Sequence, residues 1–134
     1  MATEKPDAIV VFGVTGDLAY KKIFPALHAL VRHGHLKEPI IGVAKTERTP
    51  EQIRAKVRES LENHDSVDSQ ALTNLLGLLQ YVSGLYRDPA TFERLRKALG
   101  SAARPLYYLA IPSSLFRTVI EGLAKSGCVD GARV

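Results

Sequence analysis

Apolar residues fall into two alternating kinds of run along this chain. Residues 8–12 (Ala-Ile-Val-Val-Phe), 39–44 and 104–111 are short stretches that are apolar at most positions, the pattern of strands buried on both faces of a parallel sheet. Residues 80–84 read as a further strand or strand edge, and the 104–111 run, the longest, is expected at the centre of the sheet. Between these runs apolar side chains recur at helical spacing: Ile23, Leu27, Leu30 and Val31; Ile53, Val57 and Leu61; Ala71, Leu72, Leu75 and Leu76, with Leu79 a candidate to extend them; Phe92, Leu95 and Leu99; and Leu115, Val119, Ile120 and Leu123.

Helix punctuation agrees with this division. Gly34 is placed to stop the first helix in the left-handed conformation, and Gly100 and Gly127 to stop two later ones. Thr49-Pro50-Glu51-Gln52 combines an N-cap, a first-turn proline and a capping-box glutamine; that helix should end near Asn63. Ser66 to Asp68, Asp88-Pro89 and Ser114 mark three further starts. Pro25 lies inside the first helical run, where it removes a backbone donor and crowds the preceding turn. The sequence therefore predicts a break near Phe24 that re-aims Lys21 and Lys22.

Strands alternating with helices predict an α/β fold: a doubly wound, Rossmann-like, mostly parallel sheet flanked by helices in three α/β/α layers, with residues 1–134 as one domain. Its first strand–helix junction carries the chemistry. In Gly13-Val14-Thr15-Gly16-Asp17-Leu18-Ala19, Gly13 allows a sharp turn and Gly16 lets the backbone approach a pyrophosphate. Ala19 packs helix on strand, and the emerging helix offers free N–H groups and its positive end to phosphates. Ligands of such sheets bind beyond the carboxyl ends of the strands, which puts Ala110, Ile111 and Pro112 on the same edge as Gly13, Thr15 and Gly16.

The end of the second strand bears on which dinucleotide is bound. Where NAD-specific folds place a carboxylate to bond the ribose hydroxyls, this chain has Lys45 followed by Thr46, after a longer interval than usual. A cation and a hydroxyl suit a 2′-phosphate, so NADP is preferred; Glu47 nearby leaves use of NAD open. Lys45 also has a plain reading as an exposed loop lysine.

The run Gly13-Val14-Thr15-Gly16-Asp17-Leu18-Ala19-Tyr20-Lys21-Lys22-Ile23-Phe24-Pro25 closely resembles the coenzyme-binding segment of glucose-6-phosphate dehydrogenases. Gly42-Val43-Ala44-Lys45, Tyr81-Val82-Ser83-Gly84-Leu85-Tyr86 and Leu106-Tyr107-Tyr108-Leu109-Ala110-Ile111-Pro112 resemble later stretches of that family in the same order, so the similarity covers the whole chain. It implies oxidation of glucose 6-phosphate to 6-phosphogluconolactone with reduction of NADP, in the pentose phosphate pathway, by a full-length homo-oligomer. It also implies that Gly13, Thr15, Gly16, Asp17 and Leu18 form the phosphate turn, that Lys45 contacts the 2′-phosphate, and that Ala110, Ile111 and Pro112 line the path between pyrophosphate and nicotinamide. Lys22 matches the last lysine of the family's basic run and is the one candidate for a catalytic contact to substrate and coenzyme, whereas Lys21 faces solvent. Asp17 has a second reading as a helix cap, and Tyr81 and Tyr86 stand either near the adenine or as packing residues.

Composition narrows the partners. The net charge of +4 over 134 residues favours anions. Nucleic acid is not expected, because Lys and Arg are interspersed with Glu on helices such as 51–62 and no aromatic platform interleaves with them. The polar N-terminus has no signal-peptide pattern and no run of about 20 apolar residues exists, so neither export nor a membrane span is expected. With the lone Cys128, the expected location is cytoplasmic. His33 and His35 flank Gly34 without a carboxylate or cysteine cluster, and no metal site is expected.

The family pattern continues past Val134 into a Glu-Lys-Pro-Phe-Gly segment and an α+β domain with the catalytic histidine, its aspartate partner and a phosphate-binding lysine. His28, His33, His35 and His64 match none of these. The resemblance thus implies a coenzyme domain incomplete relative to the family and inactive by itself. A stand-alone NADP-binding or interaction module without enzymatic activity is the alternative.

Overall fold

Ala8–Phe12 forms strand β1, and every one of its residues is buried. So is every residue of β2, Ile40–Ala44. With β3, Leu79–Ser83, and β4, Pro105–Leu109, they make a four-stranded parallel sheet in the order β3-β2-β1-β4. The computed structural model describes residues 7–16, 18–45, 49–62, 68–100 and 105–126. Asp17, Thr46, Glu47, Asn63, Ser66 and Gly127 lie outside them, as does the junction at residues 101–104.

Alternation along the strands divides the core in two. Ile9, Val11 and Ile40 pack against α1 (Phe24–Arg32), α2 (Pro50–Glu62) and α3 (Ser69–Leu78), meeting Phe24, Leu27, Ile53, Val57, Leu61 and Leu75. Val10, Phe12, Ile41, Val43 and Tyr107 face α4 (Pro89–Leu99) and α5 (Phe116–Ser126), meeting Phe92, Leu95, Val119 and Leu123. The topology explains the split. The chain steps outward from β1 to β2 to β3 and then crosses back over both to β4. Right-handed crossovers in opposite directions put their helices on opposite faces. The winding therefore reverses between β1 and β4, where an open α/β sheet has its crevice.

The caps are largely those read from the chain. Thr49 and Gln52 bond reciprocally, N–H to Oε1 at 2.8 Å and N–H to Oγ1 at 3.2 Å. Asp68 and Asp88 cap α3 and α4 through Ala71 and Ala90. At the end of α1, Gly34 has φ +75°, its N–H donates to Val31 and that of His35 to Leu30, the paired bonds of a Schellman stop. Buried His28 does structural work between α1 and α3: its Nε2 accepts the Asp68 N–H at 3.1 Å.

Three expectations are corrected. Residues 104–111 do not supply a central strand: among the described residues β4 pairs only with β1, and Tyr108 is exposed. Leu79 does not extend α3 but begins β3, because its backbone turns extended directly after Leu78. Ser114 does not cap α5: it lies inside a 3-10 turn, Ser113–Leu115, closed by Leu115 N–H on the Pro112 carbonyl.

The break at Pro25 takes a specific form. Ala19–Ile23 is a π-helical turn in which the Phe24 N–H reaches back five residues to the Ala19 carbonyl. The next bond of that ladder would run from residue 25 to the Tyr20 carbonyl, and proline has no N–H to give. Ser60, buried on α2, donates its hydroxyl to that carbonyl instead. The same turn is held to α2 by the Tyr20 hydroxyl on Glu59 Oε1, 3.3 Å, and by Lys56 Nζ lying 5.5 Å over the Tyr20 ring.

Candidate functional site

Where β1 ends, Gly13 takes φ +84°, donates to the Val43 carbonyl at 2.8 Å and accepts the Gly16 N–H at 2.9 Å. A Cβ at Gly13 would stand 2.2 Å from the Ala110 carbonyl oxygen, because β4 is drawn against the turn by the Ala110 N–H on the Phe12 carbonyl, 2.9 Å. Turn conformation and close approach each require glycine here. At Gly16 a Cβ would meet only the Gly13 carbonyl, at 3.3 Å, and the residue is exposed. The fold alone tolerates a small side chain at Gly16; the bare backbone there is left open to whatever occupies the crevice. The Tyr20 N–H on the Gly16 carbonyl, 3.1 Å, begins the helical segment, so its leading amides present the positive end of the helix at this turn.

Around the turn lies a cleft of about 480 Å³. Gly13, Thr15 and Gly16 come to it from β1, Ala44 and Lys45 from β2, and Ala110, Ile111 and Pro112 from β4. Leu85, Tyr86 and Arg87 of the loop after β3, with Leu115 and Thr118, complete its wall. Of the residues singled out from the sequence, Gly13, Thr15, Gly16, Lys45, Ala110, Ile111 and Pro112 are thus assembled in one place. Leu18 is half exposed and does not line the cleft. Lys22 stands exposed on the π-helical turn, also off the wall, as does Lys21.

Tyr86 is the aromatic member of the wall. Its ring meets Phe12 edge-on with centroids 5.8 Å apart. Burial pushes the phenol pKa up, against a smaller opposing effect of a hydrogen bond with the Gly13 backbone, so the side chain stays neutral at physiological pH. Tyr81 is not on the wall; its hydroxyl contacts the Ala44 carbonyl at 3.4 Å. Leu85 and Arg87 are not among the residues singled out from the sequence. The strand-end rule that points to the ends of β1, β2 and β4 points, at β3, to residues 84–88.

No histidine or carboxylate lines the cleft among the described residues. His33 and His35 are exposed with ring centroids 6.4 Å apart, and no group of three metal-ligating side chains occurs among the described residues.

A glycine turn at the reversal point of a parallel sheet, with a helix opening from it and cations at the rim, defines a dinucleotide-binding domain. Comparison with known proteins gives its family: the chain belongs to the glucose-6-phosphate dehydrogenase, NAD binding domain family, whose profile matches residues 10–134. It is 41% identical over 128 residues to glucose-6-phosphate 1-dehydrogenase 1 of Mycobacterium tuberculosis, covering 96% of this chain and 28% of that protein. To the cytoplasmic glucose-6-phosphate 1-dehydrogenase 6 of Arabidopsis thaliana it is 36% identical, covering 92% of this chain and 26% of that one. The crystal structure of glucose-6-phosphate 1-dehydrogenase from Mycobacterium avium superposes with a TM-score of 0.91 at 39% identity, over 97% of this chain and 29% of the other. The chain therefore spans a little over a quarter of the length of these relatives. No helix among the described residues is long and apolar enough to cross a membrane.

Proposed function

We propose that residues 1–134 are the coenzyme domain of a cytoplasmic NADP-dependent glucose-6-phosphate dehydrogenase, and that the cleft at the β1–β4 reversal holds the dinucleotide. The observation that carries this is the convergence of Gly13, Thr15, Gly16, Lys45, Ala110, Ile111 and Pro112 on one cleft from three strand ends. The donor set fits the coenzyme: backbone at Gly16 open to a pyrophosphate, a cation at the end of β2, and neutral walls at the end of β4 for the nicotinamide path.

When bound, the nicotinamide supplies a hydride acceptor. This chain's residues bind and orient. Gly13 shapes the turn, Gly16 and Thr15 receive the pyrophosphate, and Leu18 and Asp17 belong to the same segment. Lys45 meets the 2′-phosphate, and Ala110 to Pro112 guide the nicotinamide end. Lys22, exposed on a turn fastened to α2, is offered toward a substrate held outside this domain. Oxidising a sugar hydroxyl also needs a base for its proton. Since the described cleft wall has no histidine or carboxylate, the chain alone binds coenzyme without turnover.

Gly16→Val tests the reading. It is expected to abolish NADP binding in a calorimetric titration while circular dichroism shows the fold retained. A variant that binds NADP like the unmutated chain overturns the assignment of the cleft.

A further inference from the structure

The loop after β3 brings a second cation to the cleft beside Lys45. Ala44 and Ser83 pair at the ends of β2 and β3, and the Gly84 N–H donates to the Ala44 carbonyl at 3.0 Å, so the chain leaving β3 starts alongside Lys45. It is then held at three points. The Asp88 N–H closes a turn on the Leu85 carbonyl at 3.1 Å, Thr91 Oγ1 donates to the same carbonyl at 2.8 Å, and the Tyr86 ring rests on Phe12. Arg87 sits inside this turn, exposed, on the same cleft as Lys45.

Two charged groups near Arg87 in the chain are already committed. The Asp88 carboxylate accepts the Ala90 N–H at 3.0 Å as the cap of α4, and Arg94 Nη2 donates to the Ser83 carbonyl at 2.8 Å. Among the described residues neither Lys45 nor Arg87 has a carboxylate partner. Two cations on a wall whose described residues include no negative side chain suit a doubly charged anion.

We propose that Arg87 is a specificity-determining residue which, together with Lys45, clamps the 2′-phosphate of NADP; this rests on the coenzyme reading above. Lysine brings a point charge and no planar fork, whereas a guanidinium grips two phosphate oxygens at once. The pinned turn fixes the backbone that carries Arg87, leaving its side chain to be ordered on binding. NAD, with a ribose hydroxyl in place of the phosphate, gains little from either cation. The rivals for Arg87 are Glu93 and Glu121, which line an adjoining cleft of about 390 Å³ between α4 and α5 that Arg87 also borders.

The test is calorimetric titration of the 134-residue chain with NADP and with NAD, for the unmutated protein, Lys45→Ala, Arg87→Ala and Arg87→Lys, with circular dichroism as the folding control. Loss of one charge-assisted phosphate contact predicts that Arg87→Ala weakens NADP binding about tenfold and changes NAD binding less than about twofold. Arg87→Lys falls between and decides the matter should the alanine variant fold poorly. Equal weakening of both coenzymes overturns the proposal by putting the guanidinium on the adenosine they share. No change in either overturns it by returning Arg87 to Glu93, Glu121 or solvent. An unmutated chain that binds neither coenzyme overturns the coenzyme reading itself, a result distinct from failure of Arg87 alone.

Discussion

Replacing Ser60 by alanine removes the hydroxyl that donates to the Tyr20 carbonyl across the π-helical turn. A net hydrogen bond of this kind contributes about 0.5–1.5 kcal/mol, and loss of its donor with the acceptor retained costs up to about 3 kcal/mol. Tyr20 is only half-buried, which sets the expected loss at about 1–2 kcal/mol. The cost should depend on Pro25, since it is proline that cannot supply the donor. In a Pro25→Ala background residue 25 regains an N–H, and Ser60→Ala should cost about 1 kcal/mol less, beyond the ~0.5 kcal/mol within which independent sites add. Urea unfolding of the unmutated chain, the two single variants and the double variant closes the cycle. Additive effects, with Ser60→Ala costing the same in both backgrounds, would refute the assignment of Ser60 as the donor that stands in for the missing residue-25 N–H.

The two glycines of the turn should separate by what they lose. Gly13→Ala meets left-handed strain of about 1–2 kcal/mol and displaces the end of β4 for about 1–3 kcal/mol more, so urea unfolding should show a loss of about 2–5 kcal/mol. Gly16→Ala should stay within about 1 kcal/mol of the unmutated chain and weaken coenzyme binding; equal destabilisation by the two would contradict the geometry. Acid should act through Asp68, whose carboxyl the Ala71 N–H holds below its ordinary value of 3.8. A depressed pKa means stability that is fully present above the unfolded value and lost as pH falls through the folded one. The advantage of Asp68 over Asp68→Asn in urea midpoint should thus be constant near neutrality and shrink below about pH 4. An advantage that grows on acidification would reverse the sign and contradict the assignment.

The spacing of apolar residues made the strands and helices legible, because burial on two faces and burial on one leave different periods in the chain. Reciprocal capping at Thr49 and Gln52, and the stop at Gly34, were legible for the same local reason. What local pattern does not contain is order across the sheet. Tyr107 and Tyr108 read alike in sequence, yet one packs against α4 and α5 and the other is exposed on a strand that, among the described residues, pairs on one side only. Pro25 announces a break, but the partner of the carbonyl it leaves without a donor is Ser60, which lies 40 residues away from Tyr20. The site divides likewise. Gly13, Thr15, Gly16, Lys45 and residues 110–112 follow from a motif and from strand ends. Arg87 sits in a turn with no motif, made visible as part of the cleft only by the pairing of β2 with β3. Lys22 shows the converse: a motif residue that the structure holds away from the cleft wall.

Whether the cleft holds NADP and reads its 2′-phosphate is decided by parallel calorimetric titrations of the unmutated chain with NADP and NAD, with Lys45→Ala alongside. The expected result is one site that prefers NADP, the preference falling about tenfold when the Lys45 charge is removed. Binding of neither coenzyme, or an NADP affinity indifferent to Lys45, would contradict this reading of the cleft.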